Sequence, residues 1–350
     1  MDSLTRNLFI LAVFVALIAF PLIYFIFVGS FKPPFKFISE QENMAWGVSF
    51  STHYAKDVLG LNWQDAYQAM LDELKVKYLR IPVYWTETEP QNGNYDFSDY
   101  DWMIKKAEEN GAHVVLAIGQ KLPRWPECFV PEWASRLGNK DKEQAILDYL
   151  KSTVEHFKDS EAVEAWQIEN EPFFNAFGGC PALSSNFFDK EVALMRSLDG
   201  RPVVVTDSGE LGFWVKAASK SDIFGSTLYR QVSSGLLGDV IHAWPALYYK
   251  FKVAWVNVFA PGKKIWDVEL QAEPWSLLPL PDTALDKQLK LMNKSEFIGN
   301  VKFAYSIGFT RHYLWGAEWW YWLKTVHGDY QMWDSARTLF VDGYDKFIAQ

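Results

Sequence analysis

The sequence predicts a (β/α)8 barrel preceded by one N-terminal transmembrane helix. Three observations predict it. From Leu8 to Val28 the chain is uncharged and almost wholly apolar, which at 1.5 Å rise per residue spans a hydrocarbon core of about 30 Å. From Ala45 onward, strand-like and helix-like segments alternate eight times. The roughly 300 residues that remain suit one barrel of about 250 residues with insertions. The expected domains are therefore residues 1–30 (signal anchor), 31–44 (a linker with Pro33 and Pro34) and 45–350 (barrel).

The apolar run contains Pro21, which membrane helices tolerate. A cleaved signal peptide and a buried core helix are its rivals. The run exceeds the usual h-region of about 7–15 residues, and Gly29-Ser30 makes a poor cleavage site. Arg6 precedes the span, and Lys32 and Lys36 follow it, so charge does not set the orientation.

Ala45–Thr52 reads as the first strand. Trp63, Ala66, Tyr67, Met70, Leu71 and Leu74 then recur at helical spacing. Val76–Val83 is the second strand, followed by a helix from an expected Ser98 cap to Asn110, ended by Gly111. Ala112–Ile118 is an apolar third strand, as when both faces are covered, and Lys140–Phe157 is its helix. Val163–Ile168 pairs with a helix at Phe187–Leu198, and Arg201–Thr206 with a short one near Phe213–Ser219. Ile223–Leu228 precedes a long excursion and a helix near Tyr248–Val258. Lys264–Leu270 precedes a helix from Thr283 to Ser306, and Arg311–Trp315 precedes a closing helix at Asp334–Phe347. Eight such units favour a closed barrel over a doubly wound sheet.

Composition removes some functions. The net charge is −9 with no basic run, which argues against nucleic acid. No strand is followed by GxGxxG or GxxxxGK[ST], so nucleotide binding has no support. The six histidines show no HExxH spacing, and neither a catalytic metal nor a cofactor is expected. Aromatic residues make up 17% of the chain, with 17 Trp; their flat faces suit sugar rings, although large cores bury aromatics as well. Cys128 and Cys180 lack the spacing of a zinc site. They fall in the loops after the third and fourth strands, within reach of a disulfide; free buried thiols are the alternative. A bond there contributes roughly 4 kcal/mol in the chain-entropy model and requires an oxidising compartment.

Barrel active sites lie at the C-terminal ends of the strands. The fourth strand ends in Glu169-Asn170-Glu171-Pro172 and the seventh in Asp267-Val268-Glu269. Strands four and seven face each other across the mouth, so Glu171 and Glu269 form a carboxylate pair suited to glycosidic cleavage: one protonates the leaving oxygen, the other attacks or activates water. Glu273 and Asp267 compete with Glu269. Glu171 has a plain rival as a surface carboxylate, and Glu169 is expected as its buried partner. Gln120, Trp125 and Glu127 follow the third strand, Asp207 and Glu210 the fifth. His53, His242, Glu318, Trp319, Trp320 and Trp322 sit in other loops.

Asn170-Glu171-Pro172 resembles the acid/base motif of glycoside hydrolase clan A, and Glu269 is similar in place to that clan's nucleophile. Tyr78-Leu79-Arg80-Ile81-Pro82-Val83 resembles the second strand of family 5, and Glu89–Phe97 (EPQNGNYDF) a stretch of family 42. Phe224–Tyr229 looks like the sixth strand, and Trp315 like the sugar-platform Trp. The resemblance implies a retaining glycosidase acting through a glycosyl–enzyme intermediate on a probably β-linked oligo- or polysaccharide. A catalytically inactive carbohydrate-binding barrel and a transglycosylase are the alternatives. It implies that Asn170 binds the 2-hydroxyl, that Arg80 and Tyr229 support the nucleophile, and that Trp315 contacts sugar; Trp320 and Gln120 are candidate sugar contacts from their loop positions alone. Glu171 is then expected to stay protonated beside a charged Glu269. Such a substrate places the barrel outside the cytoplasm on a single-pass membrane protein, or in a secreted one if the leader is cleaved.

Overall fold

The computed structural model describes residues 44–350 apart from 177, 182, 235–237 and 243. The expected membrane span and all of the linker but Met44 lie outside the described residues. Among those described, no helix is long and apolar enough to cross a membrane.

Eight strands close a parallel barrel: β1 (Ala45–Ser49), β2 (Tyr78–Pro82), β3 (His113–Ile118), β4 (Val163–Ile168), β5 (Val203–Asp207), β6 (Ile223–Leu228), β7 (Lys264–Gln271) and β8 (Arg311–Trp315). Each pairs with its sequence neighbours, and β1 pairs with β8. The expected (β/α)8 barrel is what forms. Side chains alternate across each strand, so Val115, Ala165, Val204, Val268 and Tyr313 fill the barrel interior. Their neighbours Leu116, Trp166, Val205 and Leu314 pack outward under the helices. Gly225 on β6 has a steric reason: a Cβ there would stand 2.8 Å from Thr206 and 2.9 Å from Val268.

The helices follow the apolar periodicity. In α1 (Trp63–Asp72) the face Trp63, Ala66, Tyr67, Met70 and Leu71 is buried, and Asn62 caps the N-terminus by accepting from Gln64 N at 3.1 Å. Burying each large side chain contributes about 1.5–3 kcal/mol. In α2 (Ser98–Glu109) the cap is not Ser98, which is already helical: Asp96 Oδ1 accepts its N–H at 2.9 Å. Further helices are α3 (Asn139–Phe157), α4 (Ser185–Leu198), α5 (Val215–Lys220) and α6 (Ala246–Phe259).

Two long helices expected from periodicity are broken. The stretch after β7 divides into Leu285–Leu291 and α7 (Lys294–Ile307), because Asn293 turns extended and accepts from the N–H groups of Ser295 and Glu296. The closing segment divides into α8 (Ala317–Val326), Gln331–Arg337, Thr338–Asp342 and Tyr344–Ile348, the last break falling at Gly343 with φ 94°. The excursion after β6 forms a hairpin, Gln231–Ser234 with Gly238–Ile241.

Candidate active site

Both carboxylates of the expected pair sit at the mouth, 6% exposed for Glu269 and 7% for Glu171. Glu269 projects from β7. Arg80 Nη1 donates to its Oε1 at 2.8 Å, and Tyr229 Oη to its Oε2 at 2.8 Å. Arg80 comes from β2 and is fully buried; its Nε donates to Gln167 at 2.7 Å and its Nη2 to Asn170 Oδ1 at 2.9 Å. One guanidinium fork thus fixes the spacing of β2, β4 and β7 side chains. Burial, and next the charge of Glu269, push the Tyr229 hydroxyl well above its ordinary range, so it remains a donor.

Each rival to Glu269 has a side-chain partner of its own. Asp267, fully buried, meets His312 Nδ1 at 3.0 Å and accepts the Glu269 N–H at 3.2 Å. Burial pushes the Asp267 carboxyl up and the His312 imidazole down to about 3, so burial disfavours charge on both members of the pair. Glu273 is bonded to Arg124.

Glu171 is aimed by a distorted backbone. Glu169 and Glu171 have φ of 57° and 45°, each a left-handed non-glycine conformation that costs about 1–3 kcal/mol. The surroundings hold them there. Glu169, fully buried as the sequence suggested, accepts from the N–H groups of Gln120 (2.9 Å) and Lys121 (2.6 Å) at the end of β3. Gly119 makes room, since a Cβ there would lie 2.5 Å from the Glu169 carboxyl carbon. Glu171 N–H donates to Thr206 Oγ1 on β5 at 2.7 Å, and Lys121 Nζ to the carbonyl of Glu171 at 3.3 Å and of Phe174 at 2.8 Å. Burial raises the Glu171 carboxyl well above the ordinary range, and the charges of Glu269 and Glu127 add to it. Burial likewise lifts Glu127 to about 7, against Lys121, and Asp207 to about 6.

Other expected residues divide. Asn170 stands between Arg80 and Gln167. Gln120 lies at the mouth, where its backbone N–H holds Glu169. Trp315 lies at the mouth with the Arg124 guanidinium 4.0 Å from its ring centroid. Trp320 is a correction: it lies on α8 with no exposed surface, its indole donating to Ala272 O at 2.8 Å and its rings packed on Phe297. Helical spacing turns it into the core, and Trp319 with it. Cys128 and Cys180 are bonded, with Cα atoms 4.7 Å apart, tying the β3 loop to the loop that bears Glu171.

Sequence reasoning missed Arg124. Its guanidinium lies 3.7 Å from the Tyr54 ring centroid and bonds Glu273 and, at 2.9 Å, Glu318. No motif marks it; only the folded β3 loop brings it to a cleft lined by Ser49, Arg80, Trp315 and Glu318. Gln167 was legible, since it precedes Glu169 by two on the same strand face. Away from the pair, His53, Asp57 and Glu87 place ligand-type atoms within 4.8 Å of one another at the surface, where His53 already pairs with Asp57 at 2.9 Å.

Residues 39–212 match a family described as Cellulase (glycosyl hydrolase family 5). The solved structures it resembles include β-galactosidase from Rahnella sp. R3 (14% identity, 80% of this chain and 52% of that one, TM-score 0.55). Xylanase 10B from Thermotoga maritima is similar at 14% identity, over 78% of this chain and 83% of that one, with TM-score 0.54. GH5_18 from Bifidobacterium longum subsp. longum, in complex with Manb1-4GlcNAc, is similar at 15% identity, 78% and 68% coverage and TM-score 0.56. At these identities the likeness is one of fold, and the chain spans about half the length of the Rahnella enzyme. Family match, barrel and carboxylate pair together resemble those of glycoside hydrolases. The matched segment carries Arg80, Asn170 and Glu171; Glu269 and Trp315 lie beyond it.

Proposed function

We propose that the chain cleaves β-configured O-glycosidic bonds of an oligo- or polysaccharide with retention, by double displacement. The observation that carries this reading is the Glu269 carboxylate, held by Arg80 and Tyr229 at 2.8 Å each in a site where burial and that same carboxylate keep a proton on Glu171. Glu269 attacks the anomeric carbon as Glu171 protonates the departing oxygen, forming a glycosyl ester. Esterification removes the Glu269 charge that raised Glu171, which then takes a proton from water as the water cleaves the ester. Arg124 Nε, Glu127 Oε2 and Glu273 Oε2 are buried without a hydrogen-bond partner among the described residues, and sugar hydroxyls supply the partners such atoms require. Asn170 and Trp315 are placed to contact the ring.

The test is proton NMR of the first-formed anomer when the full chain acts on a panel of aryl β-glycosides. A β-anomer supports the reading, and an α-anomer overturns it. Sugar binding without turnover identifies a binding barrel, and transfer to an added sugar in preference to water identifies a transglycosylase.

The apolar run Leu8–Val28 and the disulfide support a single-pass membrane protein with its barrel outside the cytoplasm. Digestion of the barrel by protease added to intact cells tests this topology.

A further inference from the structure

Among the described residues, six of the large apolar side chains left exposed follow three neighbouring strands near their C-terminal ends, while Trp125 after β3 and Val326, Tyr330 and Val341 after β8 are exposed elsewhere. Leu211 and Phe213 follow β5, Trp244 and Leu247 follow β6, and Leu277 and Leu278 follow β7; Phe213 is 76% exposed and both leucines of the last pair 59%. These strands are consecutive in the barrel, so their loops share one arc of the mouth. The arc is joined physically. Tyr248, at the start of α6, donates to the Glu210 carbonyl beside Leu211 at 2.8 Å and stacks on Trp244 at 4.6 Å. It also reaches the site: Trp275, two residues before Leu277, packs at right angles to Tyr229 with ring centroids 4.9 Å apart, and Tyr229 holds Glu269. Down the outer wall below Leu247, at four-residue spacing along α6, Trp255 and Phe259 are exposed and stacked on each other at 5.4 Å.

The leucines of this rim offer a free oligosaccharide no flat face to stack on, and its hydroxyls lose water against them without gaining bonds. It suits a glycoside whose other end is hydrocarbon, and contiguous exposed apolar surface commonly marks ligand or membrane contact. The sequence supplies a matching element. The apolar run Leu8–Val28 is separated by 16 residues from β1, which begins at Ala45.

We propose that the arc formed by the loops after β5, β6 and β7 takes the alkyl part of a bilayer-borne glycolipid whose sugar enters the Glu171–Glu269 site. This rests on the reading of that site as a glycosidase. The experiment uses the full chain in lipid nanodiscs and a series of butyl, octyl and dodecyl β-glycosides of whichever sugar the aryl panel shows to be cleaved. The alkyl leaving groups are equally basic, so only chain length varies. We expect kcat/KM to rise at least tenfold from butyl to dodecyl, and the dodecyl-to-butyl ratio to fall at least threefold in Leu277→Ser/Leu278→Ser. Phe213→Ser, on a separate loop, gives the same fall if the first variant does not fold. Aryl cleavage with a flat alkyl series, or with a ratio unmoved by the variants, overturns this proposal alone. Cleavage of no glycoside in either set overturns the reading of the site as well.

Discussion

Replacing Glu171 by glutamine removes one proton and leaves the shape of the site intact. General acid–base catalysis contributes about 10²–10⁴ in rate, equivalent to about 2.7–5.4 kcal/mol of barrier. The full loss is expected for alkyl or sugar leaving groups, which need protonation. A dinitrophenyl glycoside leaves unaided, so its first step is spared while hydrolysis of the ester stalls, and an initial burst of phenolate appears. Azide, a nucleophile that needs no base, restores turnover and yields the glycosyl azide. The alkaline limb of the wild-type pH profile disappears in the variant. Stability moves the other way. Burial and the Glu269 charge raise Glu171 above its unfolded value, so its contribution is complete below the unfolded pKa of about 4.3. It is lost as pH climbs through the raised folded value. The amide suffers no such loss: its Tm is expected to exceed the wild type's at neutral pH and to converge with it in acid. Steady-state and burst kinetics with both leaving groups, and melting curves across pH, make the assay. Loss that is equal for both leaving groups, or less than tenfold for an alkyl glycoside, would refute the assignment of Glu171 as acid/base.

Arg80→Lys keeps the charge but not the fork that reaches Gln167, Glu269 and Asn170 together; kcat is expected to fall about 10–100-fold, from one or two lost charge-assisted bonds, as read by kinetics on the aryl substrate. Removing the disulfide as Cys128→Ser/Cys180→Ser is expected to cost roughly 4 kcal/mol of stability in the chain-entropy model, seen as a lower urea midpoint that reductant no longer shifts. Trp320→Ala is expected to destabilise the fold by about 3–5 kcal/mol with KM unchanged in the folded fraction, whereas Trp315→Ala raises KM; melting and kinetics on the same samples separate the two.

The barrel was legible because its signals are local. The strands Val163–Ile168 and Ile223–Leu228 have the bounds expected of them, and parallel strands covered on both faces leave little choice of period. The meeting of Glu171 and Glu269 was legible because strand ends define a mouth. What failed needed information along or across the chain that periodicity lacks. Met292-Asn293 continues a helical pattern, yet the Asn side chain prefers to cap the next helix. Trp320 looked like a loop platform because aromatic residues crowd Trp319–Trp322, whereas α8 points it inward. Arg124 and Glu318 meet from positions 194 residues apart, and no spacing rule joins them.

Gly119 and Glu169 form a lock with no intermediate positions. With the carboxylate in place, any side chain at 119 collides with it at 2.5 Å, and the φ of 140° disfavours one in any case. Without the carboxylate, the N–H groups of Gln120 and Lys121 lose their acceptor. A lineage that drifts at either position therefore passes through a damaged protein, and a functional exchange requires two simultaneous changes. The residue that bears no side chain is thus as restricted as the carboxylate it accommodates.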